Sequence, residues 1–108
     1  MFEDVIIASA VRTPIGKFGG SLKDISTLDL GTMVAKAAVS KAGIRPELID
    51  EVVFGCVGQY GLNPFLARMI GIKAGFAIKS TGQTVNRLCA SGLQAMVTAA
   101  MTVDHEDA

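Results

Sequence analysis

Tryptophan is absent from this chain, tyrosine occurs once, and the single histidine is His105. Two cysteines, Cys56 and Cys89, are too few for a disulfide framework. Lysine plus arginine number 10 and aspartate plus glutamate 10, so the formal net charge is zero. No field of one sign is on offer to hold nucleic acid or an anionic membrane surface. No apolar run is long enough to span a bilayer. The opening Met1-Phe2-Glu3-Asp4 is acidic and lacks the basic, apolar and small-residue zones of a secretory signal. No spacing of histidine, cysteine or carboxylate supports a metal site. These absences point to a cytoplasmic chain with no nucleic acid, membrane or metal to bind.

Hydrophobic residues, by contrast, make up 50% of the 108 positions, enough for one domain of modest size. A small free-standing domain needs polar residues to cover its large relative surface. So apolar a chain is expected to be the core piece of something larger. The abrupt end at Ala108, after Asp104-His105-Glu106-Asp107, fits a truncated chain.

Val5 to Val11 is a continuous apolar run and predicts a strand buried on both faces. Arg12 to Ser21 carries Pro14, Gly16, Gly19 and Gly20 and predicts a loop. Ser26 and Asp29 form a capping pair for a helix beginning near Thr27. Its buried stripe is expected at Leu30, Met33, Val34, Ala37 and Ala38, with Gly43 and Pro46 ending it. Pro46 to Asp50 allows one more turn. Glu51 to Val57 predicts a second strand. Asn63-Pro64 reads as a helix start, with Asn as cap and Leu66, Met69 and Ile70 buried. Lys79 to Gly82 is a loop, Gln83 to Leu88 a third strand, and Ser91 to Val103 a helix apolar nearly all round. This alternation predicts an α/β fold with a mixed, largely parallel sheet flanked by helices.

Cys89 sits where the third strand runs into that last helix. The first turn of a helix carries unpaired N–H groups and a partial positive charge, which stabilise a thiolate over a thiol. The small residues Ala90, Ser91 and Gly92 leave room for a substrate beside the sulfur. From spacing alone, a buried structural cysteine is still the commoner reading. Cys56, inside an apolar strand, is read as a small core residue. His105 lies about 24 Å from Cys89 along one helix, beyond the reach of a general base. Gly16-Lys17-Phe18-Gly19-Gly20-Ser21 lacks the spacing of a phosphate loop. Arg68 and Asn86 are expected near buried elements, in structural roles that require hydrogen-bonded partners.

The run from Asn86 through Cys89 to Ala95, Asn-x-x-Cys-x-Ser-Gly-Leu-Gln-Ala, resembles the thiolase signature around its acyl-accepting cysteine. Three further segments resemble thiolases in the same order: Ala10-Val11-Arg12-Thr13-Pro14-Ile15-Gly16, Leu28-Asp29-Leu30-Gly31, and Gly61-Leu62-Asn63-Pro64 with Arg68. Tyr60, Leu62 and the run Phe65-Leu66-Ala67 depart from the usual family residues, which bears on local packing and the subunit contact. The resemblance implies a layered thiolase-like fold, of which residues 1–108 would be the first part of the N-terminal half. It implies that Cys89 takes an acyl group from a coenzyme A thioester, with its own backbone N–H toward an oxyanion hole. The acyl group then passes to a second acyl-CoA in condensation, or to CoA in thiolysis of a 3-ketoacyl-CoA. Acetyl-CoA acetyltransferase, within fatty acid metabolism, is the activity expected first. The resemblance places an activating histidine, a second catalytic cysteine and the CoA-binding loop beyond residue 108. It implies acyl-CoA and CoA as substrates, no cofactor, the remainder of the chain as partner, and a homodimer or homotetramer. Two rival readings are a non-catalytic thiolase-like scaffold and a ketoacyl-synthase-type condensing enzyme. The 108 residues alone are expected to show no turnover.

Overall fold

The computed structural model of the chain describes residues 2–106 and 108. The described residues form three helices and two strands: α1 (Thr27–Ala42), β1 (Glu51–Gly55), α2 (Leu66–Lys73), β2 (Thr81–Val85) and α3 (Ser91–Asp104). Single 3₁₀ turns, Pro46–Leu48 and Asn63–Phe65, precede β1 and α2.

β1 and β2 pair in parallel, with Glu51 opposite Thr81 and Gly55 opposite Val85. Parallel strands need a crossover, and α2 is that crossover. Side chains alternate across the sheet. Val52 and Phe54 face the helical layer of α2 and α1: Val52 approaches Gly71, and Phe54 approaches Gly31. Gly55 faces α3 on the other side. The result is three layers, helix on sheet on helix. The core lies between α1, α2 and the sheet and comprises Ala35, Val52, Cys56, Leu66, Ala67, Ile70, Ala74 and Phe76.

Local chemistry sets the helix limits. Ser26 Oγ accepts the Asp29 N–H at 3.0 Å, the expected cap of α1. Gly43 ends it at φ +69°, where its N–H reaches Val39 and Ser40 carbonyls. The Asp29 carboxylate also pairs with Lys73 and so ties α1 to α2. Lys73 first, and Ser26 second, hold the Asp29 pKa below its ordinary 3.8.

Several expectations are corrected. Val5 to Val11 is not a strand: Ile6 and Ile7 are 83% and 74% exposed. Sheet pairing needs a neighbour, and a groove of about 590 Å³ separates residues 9–11 from β1. The segment is fastened to α1 instead, by Ser9 Oγ donating to the Ala38 carbonyl at 2.7 Å and Lys41 Nζ to that of Ala10 at 3.1 Å. The buried face of α1 is Gly31, Thr32 and Ala35, not the Leu30–Met33–Val34–Ala37 stripe. Small residues let α2 come close, and the larger stripe lines a hollow with Val11, Pro14 and Leu22. Asn63 caps no helix; its Nδ2 donates to the Gly58 carbonyl, and Thr84 Oγ1 of β2 accepts the Ala67 N–H of α2. β1 stops at Gly55 rather than Val57. β2 begins at Thr81, inside the expected loop, because Thr81 is drawn into register with Glu51. α3 has the expected extent, but only Ser91 and Ala95 are buried in it, and Leu93 is 65% exposed.

Candidate active site

The parallel register brings the ends of β1 and β2 side by side, and a cysteine follows each. Cys56 comes directly after β1. Its N–H continues the ladder to the Val85 carbonyl at 2.9 Å, and its side chain is in the core at 8% exposure. Its Sγ approaches the Gly58 carbonyl at 3.7 Å. This matches the expected packing role.

Cys89 is exposed. It lies in a tight turn, residues 86–90, that swings the chain out of the sheet and into α3. The turn has an uncommon backbone. Leu88 sits at φ +50°, in the left-handed region. For a residue with a Cβ this conformation costs about 1–2 kcal/mol. Local bonds compensate. Asn86 Oδ1 accepts the Leu88 N–H at 3.0 Å. Ser91 Oγ accepts the Arg87 N–H at 2.8 Å and donates to the Leu88 carbonyl at 2.6 Å. The N–H groups of Ala90 and Ser91 close back onto the carbonyls of Arg87 and Leu88. Outside the turn, Arg87 Nη1 donates to Gln94 Oε1 on the next turn of α3 at 2.6 Å. The Cys89 N–H takes part in none of these bonds.

Two glycines shape the start of α3. A Cβ on Gly55 would lie 2.5–2.7 Å from the Ser91 and Gly92 backbone, so only glycine lets the start of α3 rest on β1. A Cβ on Gly92 would meet nothing within 4 Å, because Gly92 faces the groove between residues 9–11 and β1. Chemically, the arrangement presents a solvent-reached thiol at the positive end of a helix, the setting of a nucleophile.

The other sequence candidates fall elsewhere. His105 follows the opposite end of α3 from Cys89, so it is no base for this thiol. Arg68 is structural: its guanidinium donates to the Ser80 and Ile78 carbonyls at 2.7 and 2.9 Å, which fixes the loop before β2. Asn86 is exposed rather than buried, and it works on the turn instead. Ser91 is not spare room beside the sulfur; it is 3% exposed and hydrogen-bonded on both sides. Gly55 was not anticipated, although a lone glycine inside a strand pattern signals close backbone approach. Nothing in the identity of Leu88 announces its left-handed conformation. Among the described residues no cluster of histidine, cysteine and carboxylate could hold a metal. Among the described residues no helix is long and apolar enough to cross a membrane.

The family described as "Thiolase, N-terminal domain" matches residues 5–108. An acetyl-CoA acetyltransferase of Syntrophomonas wolfei is 45% identical over 108 residues, covering 100% of this chain and 27% of that protein. The mitochondrial 3-ketoacyl-CoA thiolase of Mus musculus is 39% identical over 109 residues, 28% of its length. Among solved structures, human mitochondrial 3-ketoacyl-CoA thiolase in complex with CoA superposes with a TM-score of 0.88 at 38% identity. That match covers 93% of this chain and 26% of the human one. The chain thus spans about a quarter of the length of these relatives.

Proposed function

Because the chain belongs to the thiolase family, we propose that Cys89 is the nucleophile of an acyl transfer between coenzyme A thioesters. The Cys89 sulfur attacks the thioester carbonyl carbon, and a new C–S bond forms. The carbonyl oxygen takes up negative charge, and we assign the Cys89 N–H as a donor to it in an oxyanion hole. The CoA sulfur then leaves with its electron pair and takes the proton that the cysteine gave up. The acyl group passes next to a second acyl-CoA, or to CoA in the thiolytic direction. Acetyl-CoA is the substrate we favour, and residues 1–108 would form part of an N-terminal half.

The observation that carries this reading is the outward placement of Cys89 on a strained turn at the start of α3. An uncommon backbone held in place by its surroundings is characteristic of functional sites. We place the protein in the reducing cytoplasm, where such a thiol stays free. The exposed apolar side of α3 suits the remainder of the chain or further copies in a homodimer or homotetramer.

The test is a peptide map of the protein at its natural length after brief exposure to acetyl-CoA. One acetyl group on the Cys89 peptide, and none on Cys56, is expected. An unmodified Cys89 would overturn the reading in favour of a thiolase-like binding protein without catalysis.

A further inference from the structure

We propose that Ser91 and Asn86 are positioning residues for Cys89: their side chains hold Leu88 in the left-handed conformation that turns the cysteine out of the sheet line. The proposal rests on the reading of Cys89 as the acyl acceptor and adds what keeps it in place.

The argument starts from Leu88. Leucine gains nothing from φ +50° and does not hold it unaided. An extended residue there would let the chain run on from β2, and α3 would not begin where Gly55 receives it. The neighbours must therefore over-determine the turn. Two side chains grip the Leu88 residue at both ends. Asn86 Oδ1 takes its N–H, and Ser91 Oγ donates to its carbonyl. The same Ser91 oxygen also accepts the preceding N–H, that of Arg87. Ser91 is almost fully buried, so water cannot replace its hydroxyl. None of these bonds involves the Cys89 sulfur. The two residues act on the nucleophile only through the backbone that carries it.

Such a lock makes a prediction that ordinary structural support does not. Loss of support lowers stability but leaves a folded molecule reacting normally. Loss of the lock misplaces the sulfur in a molecule that is still folded, and small misplacements at a reacting atom cost rate steeply.

The experiment measures acylation of Cys89 by acetyl-CoA in single turnover, on the protein at its natural length. Cys56, buried in the core, serves as the report of folding through its protection from iodoacetamide. Ser91→Ala is expected to lower the acylation rate constant at least about tenfold. Half-saturation by acetyl-CoA should change little, and Cys56 should stay protected. Adding Leu88→Asn should recover much of the rate, because asparagine tolerates the left-handed region. Unchanged acylation in Ser91→Ala, or a loss that Leu88→Asn does not relieve, overturns the lock. If Ser91→Ala exposes Cys56, the decision passes to Asn86→Ala, whose side chain lies outside the core. A slowed rate there supports the lock and an unchanged rate overturns it. A parent protein that takes no acetyl group overturns the underlying reading of Cys89 and the lock with it.

Discussion

Cys56 and Cys89 follow the same ends of two paired strands, yet one is core and the other is presented to solvent. The difference lies in what the backbone does after each strand. Past β1 the chain keeps its ladder bond to Val85, and the sulfur falls among apolar neighbours. Past β2 it turns through Leu88, and Cys89 emerges at the head of α3. The reactivity proposed for one thiol and the burial of the other therefore follow from the backbone after each strand rather than from cysteine itself.

Exchanging the two cysteines in turn breaks this comparison most sharply. Cys89→Ser should lower turnover by at least about a thousandfold, the scale on which losing a nucleophile acts. Cys56→Ala should leave acylation intact and cost about 1 kcal/mol, seen as a lower thermal midpoint. A reversed pattern in paired assays of activity and melting would sink the assignment.

Gly55→Ala attacks the contact between the two strand ends. The added methyl meets the Ser91 and Gly92 backbone, which has little freedom to retreat. Overpacking of this kind costs about 1–3 kcal/mol. Acylation should slow together with the fall in melting temperature, because the start of α3 must lift. A melt that matches the parent would show that the contact is looser than the geometry requires.

The smallest effect sharpens the comparison from outside the site. Asp29 titrates below its ordinary value because Lys73 and Ser26 favour its charged form. The stability this adds is present above pH 3.8 and is lost as pH falls through the lowered folded value. Asp29→Asn should flatten that acid-side loss in melts taken across falling pH. Labelling of Cys89 should not change, since the pair joins α1 to α2 rather than touching the turn.

The helix after Cys89 was legible in the sequence because its signals, an apolar run and small residues, are local, whereas Cys89 itself stood out only through the family resemblance and not through spacing. The cap at Ser26 and the stop at Gly43 were legible for the same reason. Val5 to Val11 misled because an apolar run shows that a strand could form, not which strand lies beside it. The face of α1 was misjudged because periodicity weighs large side chains, whereas close packing on α2 selects Gly31, Thr32 and Ala35. Leu88 gave no signal at all. Its conformation is imposed by Asn86 and Ser91 against its own preference.

The parallel register has a kinetic consequence. Glu51 meets Thr81 across a long stretch of intervening chain, and closing such a loop costs about 3 kcal/mol of entropy before any strand contact repays it. Pairing of this kind is slow compared with helix formation. Until β2 docks and α3 settles on Gly55, Cys56 and Cys89 are equivalent thiols on an open chain. Their chemical individuality is acquired as β2 docks, so within residues 1–108 an oxidant would find two thiols before docking and one exposed thiol after it.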